Sequence, residues 1–203
     1  MRNKKRQLTG LVLLLTSLAV AADEPGYSSV KVDPRMEVNF SFYDVSADDG
    51  QTLKQKLLEK APVTTPGHRA IGKAVYQVNW QLEMNQQSDM CQLFGVRVST
   101  QVKVVMPNWL QLSKLNNTAQ NNWNGFLSAM MEYEGRHKEI VQDAAKKIGD
   151  GIASLPVNSS CQTLREQADK VGLNELQQAR EQVKRYQAET GRGRYLGVSY
   201  PRL

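Results

Sequence analysis

The stretch Met130-Met131-Glu132-Tyr133-Glu134-Gly135-Arg136-His137 sets a carboxylate and an imidazole three residues apart. On a helix that spacing brings both side chains to one face. A glutamate beside a histidine can move a proton or share in holding a divalent ion. It can equally be a satisfied buried pair with no chemistry. The surroundings make the placement unusual. Trp123, Phe126, Leu127, Met130, Val141, Ala144 and Ile148 fall at helical spacing, and positions 133, 134 and 137 continue that apolar stripe inward. Polar groups there are costly unless they are paired, hydrated or bound to something. Glu132, Arg136, Glu139 and Asp143 belong to an ordinary solvated face. Periodicity by itself favours the satisfied pair over a catalytic site.

Several elements must position this helix. From Met36 to Val45, Met36, Val38, Phe40 and Phe42 alternate with polar residues, the pattern of a half-buried strand. Leu53, Leu57 and Leu58 predict an amphipathic helix ended by Ala61-Pro62. The run 64–68, with Pro66-Gly67-His68, predicts a turn. Two further alternating runs, 71–84 and 93–106, predict long strands joined as an antiparallel hairpin by a polar loop holding Cys91. The second run is expected to stop at Pro107. A later helix opens at Ser159, with Gln162 as its capping-box partner. Gly172-Leu173-Asn174 predicts a break, with a further helix through Leu176, Val183 and Tyr186. Strands first and helices afterwards give an α+β fold, an N-terminal antiparallel sheet packed against C-terminal helices. Trp80, Trp109 and Trp123 each fall on an apolar stripe and are expected in the core.

The N-terminus has a different composition. Arg2, Lys4, Lys5 and Arg6 precede an apolar run from Leu8 to Val20 that closes on Ala19-Val20-Ala21. That order is a cleavable export signal, and the run is too short to span a bilayer unaided. The expected divisions are a signal peptide at 1–21, a lead-in segment at 22–35, one domain at 36–190 and a tail at 191–203. Removing the leader takes four basic residues and no acid, so the formal charge falls from +6 to +2. Basicity therefore gives no reason to expect nucleic acid as a partner. Cys91 and Cys161 both lie beyond the cut. In an oxidising compartment such a pair is expected to form one disulfide, the alternatives being buried free thiols or a thiolate metal pair.

Around the central motif the chain resembles the bacterial predicted secreted zinc-dependent protease family, described as a domain of unknown function. The resemblance is carried by Tyr43-Asp44-Val45-Ser46, Gly67 before the strand ending at Trp80, Cys91-Gln92-Leu93 and Pro107-Asn108-Trp109. It continues through Trp123, Cys161 and Tyr186-Gln187-Ala188-Glu189-Thr190-Gly191-Arg192-Gly193. It implies a zincin-like motif helix, in which Tyr133-Glu134-Gly135-Arg136-His137 stands where the family carries H-E-x-x-H. Glu134 would then be the general base and His137 a metal ligand, with Tyr133 in place of the first histidine. The family's closing pattern, Y-D-x-x-T-x-H-G, ends in a histidine that would supply a third ligand, and here Arg192 occupies that position.

The chain has two histidines, His68 and His137. A site of three histidines is thus impossible, whereas catalytic zinc normally takes three protein ligands and a water. A tyrosine phenol keeps its proton to about pH 10, and arginine is permanently cationic. Arg192 is expected either to fold over the motif helix and pair with Glu134 or the Tyr133 hydroxyl, filling the cation site, or to lie free in a glycine-rich tail. His68 is expected to face water. Three functions follow as alternatives: a non-catalytic periplasmic or secreted protein that binds a peptide or envelope protein, an active zinc metallopeptidase with an atypical ligand set, or a structural subunit of the envelope. No cofactor is expected under the first and third; zinc is required by the second. Contact with a membrane is expected only through an uncleaved signal segment.

Overall fold

The computed structural model describes residues 30–65 and 68–199. The expected signal peptide, the first part of the lead-in segment and the Pro66-Gly67 turn lie outside the described residues. The elements run β1 (Lys31–Val45), α1 (Gly50–Lys60), β2 (Val63–Thr65), β3 (His68–Arg69), β4 (Lys73–Gln87), β5 (Met90–Trp109), α2 (Asn117–Ala153) and α3 (Cys161–Glu189). This is the α+β class that the order of periodicities implied.

The main sheet has the order β1-β5-β4. β4 and β5 form the expected antiparallel hairpin, from Lys73↔Val105 to Gln87↔Met90. Its turn is the tight Ser88-Asp89 step, with Ser88 in the left-handed region at φ 50°. Cys91 accordingly lies on β5 itself, opposite Gln86, and not in a loop. β1 pairs with the other side of β5 in parallel, from Lys31↔Gly95 to Val45↔Trp109, so the sheet is mixed and not wholly antiparallel. Side-chain alternation has the same period in both pairings and carries no direction. β5 also runs through Pro107, which pairs with Tyr43 beyond the last residue matched to β4. There β5 has an open side, where a proline is tolerated. β1 begins five residues before the expected strand, taking in Pro34 on an edge.

One face of β5 is buried along its length by Val96, Val98, Val102, Val104 and Met106. One apolar cluster joins Val45, Leu53, Leu57, Trp109, Trp123 and Met130. A second joins Val96, Val98, Ile148, Ile152, Leu164 and Ala168, with Trp80 half-buried at its margin. All three tryptophans thus pack against the core. The apolar residues of β1 are less covered than their alternation implies: Phe40 is 54% and Phe42 63% exposed. β1 is an edge strand, and full burial on this face is reached on the central strand.

Each main helix begins with a side-chain cap. Asp49 accepts from the Thr52 amide at 2.8 Å, and Asn116 from Ala119 at 2.9 Å. For α3 the cap is Ser160, which accepts from Thr163 at 3.1 Å, one residue beyond the expected Ser159. Gln162 turns outward to Glu166 instead of closing a capping box. The helix does not break at Gly172. A Cβ there would lie 2.5 Å from the Trp80 ring, so the glycine admits the indole to the helix backbone. Gly125, exposed on α2, has nothing within 4 Å of such a Cβ. The same substitution should therefore act with opposite sign at the two sites. Gly125→Ala should stabilise by about 0.5–1 kcal/mol through helix propensity. Gly172→Ala should destabilise by roughly 1–3 kcal/mol through overpacking. Urea unfolding of the two variants checks this, and equal shifts would refute the close-packing role.

The expected disulfide is present, joining Cys91 on β5 to Cys161 in the first turn of α3. Beside it, Cys91 and Asn158 exchange two backbone hydrogen bonds, at 2.6 and 3.0 Å. Among the described residues no helix is long and apolar enough to cross a membrane.

Candidate functional site

The polar interruption in α2 falls between two apolar blocks. Met130 belongs to the cluster under α1, and Ile140 to a small cluster with Ala144 and Ala179 between α2 and α3. Tyr133 and His137 between them are buried and Glu134 is half-buried, as the stripe implied. His137 Nδ1 meets Glu134 Oε2 at 3.1 Å, with side chains 5% and 12% exposed. The imidazole is walled by rings: Tyr133 edge-on at 4.6 Å and Tyr186 of α3 edge-on at 5.3 Å. The two tyrosines stack at 5.4 Å. From β4, the Tyr76 hydroxyl donates to the Glu134 carbonyl at 3.3 Å, tying the motif turn to the sheet. His137 Nε2 is buried and has no hydrogen-bond partner.

Burial holds the Tyr133 proton up to about 12, helped by the negative charge of Glu134 and by Tyr186, and opposed by the Arg192 guanidinium. Burial and Glu134 also raise Tyr76, and burial raises Tyr186. All three phenols are therefore neutral donors across the ordinary pH range.

This turn forms part of the wall of a cleft of about 1190 Å³, enclosed by residues 69–78, α2, α3 and the chain after α3. Ile71, Val78, Val141, Leu176 and Val183 give the cleft an apolar surface. Five cations also line it: Arg69, Lys73, Arg180, Lys184 and Arg192. Arg69 donates to the Ala61 carbonyl at 2.6 Å and Lys73 to that of Val63 at 3.1 Å. Among the described residues, no ion pair joins any of the five to a carboxylate. Among the described lining residues Glu134 is the one acid, and its partner is His137.

The segment after α3 is not a free tail. Gly191, Arg192 and Gly193 take left-handed φ of 57°, 59° and 84°, and the chain then returns over α2. A Cβ on Gly193 would lie 3.1 Å from the Tyr133 ring, and Val198 packs against the core. Arg192 is thereby brought to the same cleft as Tyr133, Glu134 and His137. The expected pairing is not formed: Arg192 makes no ion pair with Glu134 and no hydrogen bond to the Tyr133 hydroxyl, and its influence there is through charge. His68 pairs through its backbone with Thr65 in the small β2–β3 sheet, beside Arg69 of the cleft.

The donors at the motif do not fit a catalytic zinc ion. His137 Nε2 and the Glu134 carboxylate are two donors; Tyr133 holds its proton more firmly than a free phenol, and Arg192 brings a cation. Among the described residues no group of three His, Cys, Asp or Glu could hold a metal.

Sequence reasoning found Tyr133, Glu134, His137 and Arg192, and missed Tyr76 and the cations Arg69, Lys73, Arg180 and Lys184. Arg180 and Lys184, four apart beside Leu176 and Val183, carried a usable signal. Arg69, Lys73 and Tyr76 carried none until the chain brought β4 against α2.

Comparison with known proteins gives one result. A family model described as a bacterial protein of unknown function (DUF922) matches residues 40–193, most of the chain, including Tyr133, Glu134, His137 and Arg192. No curated protein and no solved structure matches.

Proposed function

The chain belongs to this bacterial family of unknown function, and we propose that it is an exported, non-catalytic protein that binds a peptide or envelope-protein segment in the cleft. The observation that carries this reading is what occupies the ligand positions implied by its resemblance to secreted zinc-dependent proteases. A proton-retaining phenol stands at one and a guanidinium at another, around a cleft that remains open. Catalytic zinc requires three donors able to offer an electron pair; near neutral pH a protonated phenol is a poor one and a guanidinium offers none. The cleft meanwhile has the attributes of a binding site: an apolar surface, a few polar groups turned toward it, and cations that, among the described residues, pair with no acid. Export is supported by the leader-like N-terminus together with the Cys91–Cys161 bond, since such bonds persist in the periplasm and outside the cell.

A second reading, an active zinc metallopeptidase with an atypical ligand set, is favoured by one feature: His137 Nε2 is buried without a partner, as a ligand atom awaiting its ion would be. The test is a zinc titration of the purified protein with a chelating indicator, alongside cleavage of an unfolded protein substrate. The expected outcome is no stoichiometric zinc at nanomolar affinity and no chelator-sensitive cleavage. Tight stoichiometric zinc lost in His137→Ala, with cleavage lost in Glu134→Gln, would overturn the proposal in favour of the enzyme.

A further inference from the structure

We infer that the occupant of the cleft is an acidic peptide segment, held in an extended conformation along β4 by Arg69, Lys73, Arg180, Lys184 and Arg192. This deepens the binding reading above and rests on it. The starting point is an electrostatic imbalance. With the leader removed, the formal charge of the chain is only +2. The cleft alone gathers five cations and a single acid, itself engaged by His137. Arg180 and Lys184 stand one helical turn apart on α3, an arrangement in which like charges repel. Lys73 lies on β4 and Arg69 just before it, and both also line the cleft. An anionic occupant converts this repulsion into charge-assisted hydrogen bonds.

Arg192 adds an independent observation. It is a non-glycine residue held at φ 59° between two glycines with positive φ. That backbone region is unfavourable for a side-chain-bearing residue, and such strain persists where the surrounding structure enforces it. Here it is enforced by a turn whose Thr190 hydroxyl accepts from the Gly193 amide at 3.2 Å and donates to the Tyr186 carbonyl at 2.7 Å. The result is a turn whose backbone, held by these hydrogen bonds, places Arg192 among the residues lining the cleft.

The edge position of β4 points to a peptide. Among the described residues β4 pairs with β5 alone, so its other side offers a strand edge to which an extended chain can add. In such a strand successive side chains alternate in direction. One set would meet the apolar surface of Ile71, Val78 and Val183 while acidic residues reach the cations. Single-stranded nucleic acid, the other polyanion to consider, needs free aromatic faces for its bases. Tyr133 and Tyr186 are already stacked on each other.

The test is fluorescence anisotropy of the signal-free protein with three labelled decapeptides, alternating valine with glutamate, glutamine or lysine. The glutamate peptide should bind at least roughly tenfold more tightly than the glutamine peptide and weaken with added salt. Arg180→Glu/Lys184→Glu should reduce its affinity by more than roughly tenfold, with the far-ultraviolet spectrum unchanged, because both residues are exposed. Lys103→Glu/Lys170→Glu, the same charge change away from the cleft, should leave binding intact. Equal binding of the glutamate and glutamine peptides, indifferent to the Arg180 and Lys184 reversal, would overturn acid selectivity and leave peptide binding standing. Binding of none of the three would sink both. A single-stranded oligonucleotide that outcompetes the glutamate peptide would overturn the peptide class.

Discussion

Loss of the Cys91–Cys161 bond should lower the unfolding free energy by about 4 kcal/mol, as expected for a cross-link of this span. The bond separates partners by 70 residues, and the loop it closes holds most of β5 and all of α2. Freeing that loop enlarges the unfolded ensemble by far more than any local contact could. The folded state has less to lose, because Leu164 and Ala168 still seat α3 on the second core. Cys91 and Asn158 also keep their paired backbone bonds. The variant to use is Cys91→Ala/Cys161→Ala, since Cys91 is wholly buried and a serine hydroxyl would add its own penalty. At a slope of about 2 kcal/mol per molar, the urea midpoint should fall by roughly 2 M. Reductant should shift the native protein by the same amount and leave the double variant where it is. A shift in the variant of less than about 1 kcal/mol would mean that α3 is held by its apolar face alone.

The strands and helices of this chain could be read in advance because alternation and helical spacing are local. What the residues did not disclose was which strand would lie where. β1 and β4 show the same alternation, yet one pairs parallel to β5 and the other antiparallel. The choice is made by the Ser88-Asp89 turn for β4 and by the long return of the chain for β1. Gly172 misled for a similar reason. In isolation, Gly-Leu-Asn is a helix stop, but its cost within a helix is only about 1 kcal/mol, and contact with Trp80 from β4 outweighs it. Phe40 and Phe42 misled in the opposite direction. Their spacing promised burial, and an edge position left them uncovered.

The site was legible to the extent that it broke a pattern. Tyr133, Glu134 and His137 stood out because they replaced apolar residues on the buried stripe of α2. Arg192 stood out because the family resemblance expects a histidine in its place. Its position at the cleft depended on a turn of three consecutive left-handed residues, for which the flanking glycines were the visible sign. The cations of α3 were visible as charges and not as a site. On an amphipathic helix an arginine and a lysine one turn apart suggest a solvated face until another element supplies the opposite wall. In this chain that wall is β4, 89 residues away by the Trp80–Asp169 hydrogen bond that joins it to α3.

Removal of His137 should cost roughly 3–5 kcal/mol, the range for leaving a buried carboxylate without its partner. In His137→Ala the Glu134 carboxylate loses its 3.1 Å partner while its side chain is only 12% exposed. The imidazole's contacts with Tyr133 and Tyr186 are lost as well. Glu134→Leu should cost less, about 1–3 kcal/mol, because it leaves a ring nitrogen without its partner and strands no carboxylate. Glu134→Leu/His137→Phe removes both polar groups and keeps a ring between the tyrosines, so it should recover most of the loss, since a buried pair is often replaced by apolar residues at little net cost. A double-mutant cycle measured by urea unfolding would give the coupling directly. If His137→Ala costs under about 1 kcal/mol, the carboxylate has found a second partner, and Arg192, lining the same cleft, is the nearest cation to suspect. His137→Ala/Arg192→Gln would then restore the full penalty. If it did not, the Glu134 charge is reaching water, and the pair does not hold this turn of α2 in place.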